Sequence, residues 1–445
     1  MNIICNYNMV ANYCNTIYRK GTLIMKQQIK KICMLTVHGY VDPNPTLGKT
    51  DTGGQVTYVL ELSKALAKMG IKVDIYTRQF QNKKTISPAS KGVRIIRIPC
   101  GGKKFIPKES LLPHLDAFVR NMERFIKKEN LKYDIFHSHY WDAGYAAMKL
   151  TEHMNYFFVH TFHSLGAWKR EHMGGNPKEM ERTYHFKERI HHEKMIYKKA
   201  GALVMTSSEM VKNSRDLYGY KGKNYTILPA GVNINIYRPL KRGEKERKID
   251  VPHNYIFWVG RFDTNKGLPY LLKAFAEIVT KAKDLFLVIG GGSKHPKPKE
   301  KKLRKDLYKI IKKTQIKNRV FFTYHIPDKL MPSYYRKANF FVLPSKFEPF
   351  GMTAAEAMAC GIPTIVSKRA GIRKYLKNGE NCLVVNASNK KDLGRAFQII
   401  NRRHAFRKKI SKNGLKLARE KFGWTHIANE SLAYYSKLCK QFDKK

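Results

Sequence analysis

Apolar and polar positions along this 445-residue chain alternate in blocks whose period switches between that of a strand and that of a helix. From Lys30, KICMLTVHG reads as a short apolar strand, TDTGGQ as a turn, and VTYVLELSKALAKMG as a helix stopped at Gly70. IKVDIYTR and VRIIRIP follow as strands, LLPHLDAFVRNMERFIKKE as a helix and YDIFHSH as a strand. A short helix from Asp142, the strand YFFVHTFHS, one long polar helix from about Lys178 and the strand GALVMTSS complete the series. Charged, proline-containing sequence from Arg238 to Pro252 interrupts the pattern. It restarts at YIFWVGRF and runs through LFLVIGGG, RVFFTYH, NFFVLPS and PTIVS, with helices between.

Strands alternating with helices form parallel sheets covered on both faces, and this length exceeds what one hydrophobic core organises. The expected fold class is α/β, with two doubly wound Rossmann-like domains facing across a cleft. The expected divisions are an N-terminal extension at 1–25, a first domain at 26–240, a linker at 241–252, a second domain at 253–425, and a C-terminal helix at 426–445 packed back on the first domain. Ligands of such sheets bind beyond the carboxyl ends of the strands.

Charge adds a question. Lys and Arg number 85 against 34 Asp and Glu, a net charge of +51, which invites a nucleic-acid or anionic-membrane reading. The basic residues are spread along the whole chain, however. The densest tracts, KHPKPKEKKLRKDLYKIIKK from Lys294 and LKRGEKERK from Leu240, read as a solvated helix entry and a linker. No specific nucleic-acid partner is expected, while contact with a membrane surface stays compatible with the charge. Seven scattered cysteines without a C-x-x-C pair argue for a reducing compartment and against a disulfide framework or a zinc site. No apolar run reaches the roughly 18 to 20 residues of a membrane span, and the first residues lack the parts of a signal peptide. A cytoplasmic protein is expected, with Met25 an alternative start.

Candidate chemistry gathers on the loops after the strands. In DTGGQ, Asp51 to Gln55, adjacent glycines let a ligand approach the backbone and the next helix offers free N–H groups to an anion; a plain turn reads equally well. GRFDTNKG places Arg261 and Lys266 where a diphosphate would sit, against the alternative of two surface cations. SKFEPFGMTAAEAMACG holds Glu348 on a turn and Glu356 inside a helix, with Thr353 near that helix's start. The two glutamates do not share a helical face, so they suit two acceptors on one polyol ligand better than a glycosidase pair around one bond. His38, His137, His139, His160 and His163 cluster at strand ends, where cleft polar residues are expected rather than metal ligands.

HGYV, LGKTDTGGQVTYVLEL, YTRQF, RIPCGGKKFIPKE, SHYWDAG, HSLGAWK, FKERIHHEKMIY, GRFDTNKG and EPFGMTAAEAMACGIP run from His38 to Pro363. Together they resemble the retaining, nucleotide-sugar-dependent glycosyltransferases of the GT-B fold in the group of sucrose-phosphate synthase. Within that group the likeness is to the mannosyl-transferring members. The resemblance implies transfer of a hexose, best mannose from GDP-mannose, to the anomeric hydroxyl of fructose 6-phosphate; the alternative donor is UDP-glucose. It implies Arg261 and Lys266 at the donor diphosphate, Glu348 at the donor sugar with backbone N–H groups of Phe350, Gly351, Met352 and Thr353, and Glu356 at the ribose. His163 would touch the transferring sugar. Gly54, which also borders the donor, would line the acceptor pocket with Gln55, Lys108, Ser164, Lys169 and Arg189. No cofactor is implied for the chemistry, no metal ligand is assigned, and Mg2+ would serve only as a stimulant.

Two donor-facing segments depart from the family pattern. Tyr324 and His325 stand where a glycine is usual, and Arg369 to Gly371 replace a Gly-Gly pair. Competing readings are a glycosyltransferase working on a lipid at the membrane surface and a non-catalytic basic nucleic-acid binder. No amphipathic helix with exposed Trp, Phe and Leu supports the first, and the intact Arg261, Lys266, Glu348 and Glu356 oppose the second.

Overall fold

The computed structural model of the chain describes residues 29–45, 53–154, 156–173, 175–280, 282, 284–293, 296 and 298–442. The expectations for residues 1–25, with Cys5 and Cys14, and for Asp51 lie outside these residues.

The first domain is built on β1 (Lys31–Leu35), β2 (Lys72–Gln79), β3 (Ile86–Ser90), β4 (Val93–Pro99), β5 (Ile135–His139), β6 (Phe158–Thr161), β7 (Ala202–Met205) and β8 (Tyr225–Ile227). They form one sheet in the order β3-β4-β2-β1-β5-β6-β7-β8. Its helices are α1 (Gly54–Lys68), α2 (Leu112–Lys128), α3 (Trp141–Met154), α4 (Gly166–His172), α5 (Pro177–Tyr184), α6 (Phe186–Lys199) and α7 (Ser208–Tyr218). The second domain has β9 (Tyr255–Gly260), β10 (Phe286–Gly291), β11 (Val320–Tyr324), β12 (Phe340–Leu343), β13 (Thr364–Ser367) and β14 (Leu383–Val385), in the order β11-β10-β9-β12-β13-β14. With them come α8 (Leu268–Val279), α9 (Pro298–Lys313), α10 (Met331–Lys337), α11 (Met352–Ala359), α12 (Lys390–Arg402), α13 (His404–Lys421) and α14 (Trp424–Phe442).

The alternation of side chains along a strand explains why both faces are covered. Ile32 and Met34 of β1 join one apolar core, while Cys33 and Leu35 join the other. The first of these cores continues into the second domain through Phe257, Val259 and Phe341 and takes in Tyr435 and Leu438 of α14. That last helix crosses to the first domain, where Tyr435 Oη meets His137 Nδ1 at 2.7 Å and Phe442 stacks on Phe157 at 3.9 Å. Residues 241–252 carry no helix or strand. Glu246 ties them to α10 through Arg336 at 2.7 Å.

Three local expectations need correction. β3 was not anticipated: its sequence ISPAS is polar, half-exposed and interrupted by Pro88, and it pairs antiparallel with β4 at the sheet edge, where proline is tolerated. The long helix from Lys178 is two helices, broken at His185, whose φ of 47° ends α5 and begins α6. Finally, His137, His139 and His160 are core residues with 0–1% exposure, not cleft residues. They sit on inward positions of two central strands, which also cover a helix-packed face.

Candidate active site

The carboxyl ends of both sheets meet across the cleft. α1 begins at Gly54, and a Cβ there would lie 3.4 Å from Met352 Sδ at the start of α11. Gln55 turns its amide inward, donating to Thr36 Oγ1 at 2.9 Å and to the His139 carbonyl at 3.2 Å. It therefore braces the loop after β1 against the end of β5.

After β6 the chain turns within three residues. Ser164 N–H donates to the Phe162 carbonyl at 2.6 Å, and His163 between them has a φ of 57°. A non-glycine residue held in this region is costly and clusters at functional sites. His163 Nε2 lies 3.0 Å from His139 Nδ1, and burial with the nearby His38 brings its pKa down to about 3.

A cationic group lines the same side. Arg189 of α6 is buried, and it donates to Glu193 at 2.8 Å, to Tyr140 Oη at 2.8 Å, and to the Ser164 carbonyl and Oγ at 2.8 and 3.2 Å. Its fork is thus largely committed to the protein, holding the turn that carries Ser164. Lys169 of α4 is different. Burial and then Arg189, Lys108 and Arg261 hold its ammonium well below its ordinary pKa, with Glu109 opposing weakly. Lys108 opens a short 3-10 turn and pairs with Glu109 at 2.7 Å.

The second domain supplies the rest. β9 ends at Gly260, and Lys266, in the 3-10 turn that follows, pairs with Glu348 at 2.5 Å. Gly267, at φ 74°, lies so close to the end of β12 that a Cβ would sit 1.9 Å from the Pro344 carbonyl oxygen. Lys346 N–H donates to the Asn265 carbonyl at 2.7 Å, which locks the two loops together. Gly351 turns at φ 114° into α11 without a side-chain cap. The first helical N–H groups, of Met352 and Thr353, find no acceptor among the described residues and face the cleft with the positive end of the helix. Phe350 is buried and packs on Phe422. Glu356, one turn into α11, accepts from Tyr335 Oη at 2.7 Å; burial pushes its carboxyl up to about 7, with Asp328 adding to the rise and Tyr335 opposing it.

The predicted donor residues Arg261, Lys266, Glu348, Phe350, Gly351, Met352, Thr353 and Glu356 thus share one sheet end. Gly54, Gln55, Lys108, His163, Ser164, Lys169 and Arg189 share the opposing one. Sequence reasoning missed Tyr140, whose ring lies under both Arg189 and Lys169 at 4.7 and 6.0 Å, and Glu193, the buried partner of Arg189. The i, i+4 spacing of Arg189 and Glu193 was a readable signal for the second. Among the described residues no group of three or more His, Cys, Asp or Glu side chains is placed to hold a metal ion.

Known proteins match this arrangement. A family model described as glycosyl transferases group 1 matches residues 241–417, and one described as glycosyltransferase family 4 matches residues 52–236. The mannosylfructose-phosphate synthase of Agrobacterium fabrum is 36% identical over 414 residues, 92% of this chain and 91% of that one. The chain belongs to the GT-B glycosyltransferases, in the group of the sucrose-phosphate and mannosylfructose-phosphate synthases. It is a hexosyltransferase. In the same group, a probable sucrose-phosphate synthase of Thermosipho melanesiensis is 33% identical over 401 residues, 86% of this chain and 90% of that one. The solved sucrose-phosphate synthase of Thermosynechococcus elongatus superposes with a TM-score of 0.79 at 29% identity, covering 93% of this chain and all of that one. Among the described residues no helix is long and apolar enough to cross a membrane.

Proposed function

We propose that the enzyme transfers a mannosyl unit from GDP-mannose to the anomeric hydroxyl of fructose 6-phosphate, with retention at the sugar carbon. What supports this reading is the 36% identity to a mannosylfructose-phosphate synthase together with a cluster of cations at the first sheet's end, where Arg189, Lys108 and Arg261 surround the half-buried Lys169 and only Glu109 opposes them. Such a group is electrostatically incomplete without an anion, and a phosphate dianion on the acceptor completes it.

On this reading Arg261, Lys266 and the N-terminus of α11 receive the donor diphosphate, Glu348 and His163 hold the hexose, and Glu356 takes the ribose hydroxyls. The bond from the sugar carbon to the diphosphate oxygen breaks as the acceptor oxygen bonds to the same face. The acceptor's proton passes to the leaving diphosphate. Fixed cations and N–H dipoles stabilise the charge that develops there, and the closed cleft keeps water from the donor. Mg2+ is not required by this scheme. A cytoplasmic setting goes with it, in line with the free thiols of Cys33, Cys100, Cys360, Cys382 and Cys439.

UDP-glucose as donor is the second reading, supported by the likeness to sucrose-phosphate synthases. Purified enzyme given either donor with fructose 6-phosphate is expected to release nucleoside diphosphate only when both substrates are present. No turnover with any nucleotide sugar and this acceptor would sink the proposal.

A further inference from the structure

Two side chains on neighbouring strands and one in the turn after β6 make a one-way relay of hydrogen bonds that ends on His163. Met34 of β1 and His139 at the end of β5 are both fully buried. His139 Nε2 lies 3.4 Å from Met34 Sδ, and its Nδ1 lies 3.0 Å from His163 Nε2. A neutral imidazole has one N–H donor and one bare acceptor nitrogen, whereas a thioether sulfur only accepts. The nitrogen facing the sulfur must carry the proton, because a bare nitrogen there would be an unsatisfied acceptor in a dry interior. His139 Nδ1 is then an acceptor, so the proton shared with the next ring sits on His163 Nε2. That leaves His163 Nδ1 bare. It has no protein partner among the described residues and is the nitrogen on offer to a ligand.

Both rings stay neutral over the range in which the enzyme would work. Burial, reinforced by His137, His163 and His160, holds His139 well below its ordinary value, and His163 is brought down to about 3 by burial and His38. Direction is therefore set by hydrogen-bond chemistry and not by charge.

We propose that Met34 and His139 are positioning residues that fix His163 in its Nε2–H tautomer, so that Nδ1 accepts a hydrogen bond from a hydroxyl of the donor sugar. This rests on the function proposed above, in which His163 touches that sugar. The opposite tautomer would present an N–H to the same space, and a hydroxyl there could only accept from it, with its own proton left to find another partner. The relay thus selects a hydroxyl over a group that can only accept, and it does so from two residues that never reach the substrate.

The test is 15N-histidine NMR of the full chain near neutral pH, paired with donor kinetics for His139→Asn and His139→Gln. An asparagine carbonyl can stand where Nδ1 stands, whereas glutamine, although closer in length, reaches toward Met34 and leaves His163 Nε2–H without an acceptor. The wild type and His139→Asn are expected to show a single Nε2-protonated His163, with kcat/KM for the donor within about threefold of each other. His139→Gln is expected to show mixed tautomers and a loss of about tenfold. Met34→Leu, which keeps the core filled, should also mix the tautomers. A His163 protonated on Nδ1 in the wild type, or identical tautomers in all variants, would overturn the relay whatever the substrate. Tautomers that follow this pattern with unchanged donor kinetics would overturn the sugar contact alone.

Discussion

Trp168 of the first domain stacks on Phe347 of the second, with ring centroids 3.5 Å apart and planes 26° from parallel. Each ring is the sequence neighbour of a candidate binding group, Lys169 on one side and Glu348 on the other. The stack therefore bridges the cleft between the proposed acceptor cation and the proposed donor carboxylate.

Closing the cleft is what this contact rewards, since an aromatic pair of this kind is worth about 0.5–1.5 kcal/mol beyond its buried area. Trp168→Ala and Phe347→Ala are each expected to lower kcat by about two- to tenfold and to raise donor hydrolysis relative to transfer. The double variant should be little worse than either single one, as required when two residues act through one contact. Strictly multiplicative losses in a kinetic double-mutant cycle would disprove the coupling.

Lys169 gives a second prediction, through linkage. Because burial and three neighbouring cations hold its ammonium below its ordinary pKa, an anion bound beside it should stabilise the fold by mass action. Melting temperature is expected to rise with fructose 6-phosphate in the wild type and to respond weakly in Lys169→Ala. The same substitution should raise the apparent KM for the phosphorylated acceptor by tenfold or more, on the order expected for a lost charge-assisted hydrogen bond. An unchanged KM would remove Lys169 from the acceptor pocket.

Much of this site was legible because its residues sit on loops that follow recognisable strands. GRFDTNKG and EPFGMTAAEA each lie directly after an apolar run, so period alone located Arg261, Lys266, Glu348 and Glu356 at one sheet end. What escaped is what depends on contacts across the chain. Nothing in SHYWDAG says that Tyr140 will lie beneath Arg189, or that His139 will be fully buried while His163, two residues past the end of β6, stays half-buried. Tyr324 is instructive in another way. Its φ of 50° is the left-handed backbone that glycine adopts freely, and its ring lies 4.7 Å from the Arg304 guanidinium, a contact that the strand pattern does not announce.

Glycine geometry yields a prediction with its own control. Gly267 and Gly243 both have positive φ, 74° and 83°, but only at Gly267 would a Cβ strike backbone, the Pro344 carbonyl oxygen; at Gly243 there is nothing within 4 Å. Gly243→Ala is expected to cost about 1 kcal/mol for the backbone conformation alone. Gly267→Ala should cost about 3 kcal/mol or more and loosen the Lys266–Glu348 pair. Equal losses in urea unfolding would show that the close approach does not constrain the loop.

The last prediction concerns pH and Glu356, whose carboxyl is raised from 4.5 to about 7, chiefly by burial. A folded-state value above the unfolded one means that the native chain holds this proton more tightly. The associated stability is therefore complete below about pH 4.5 and lost progressively as pH rises through about 7. Glu356→Gln, which keeps the shape and never ionises, should remove that dependence: its stability relative to the wild type is expected to grow from pH 5 to pH 8, by up to a few kcal/mol. Donor binding should move the other way in the wild type. If the ionised carboxylate receives the ribose hydroxyls, affinity strengthens as pH passes through 7, and the glutamine variant shows neither the strengthening nor the tight binding. Urea titrations of both proteins at pH 5 and 8, with donor binding by calorimetry at the same values, separate the two effects. Parallel stability curves would mean that Glu356 is not the titrating group, and pH-independent donor affinity in the wild type would mean that it does not touch the donor.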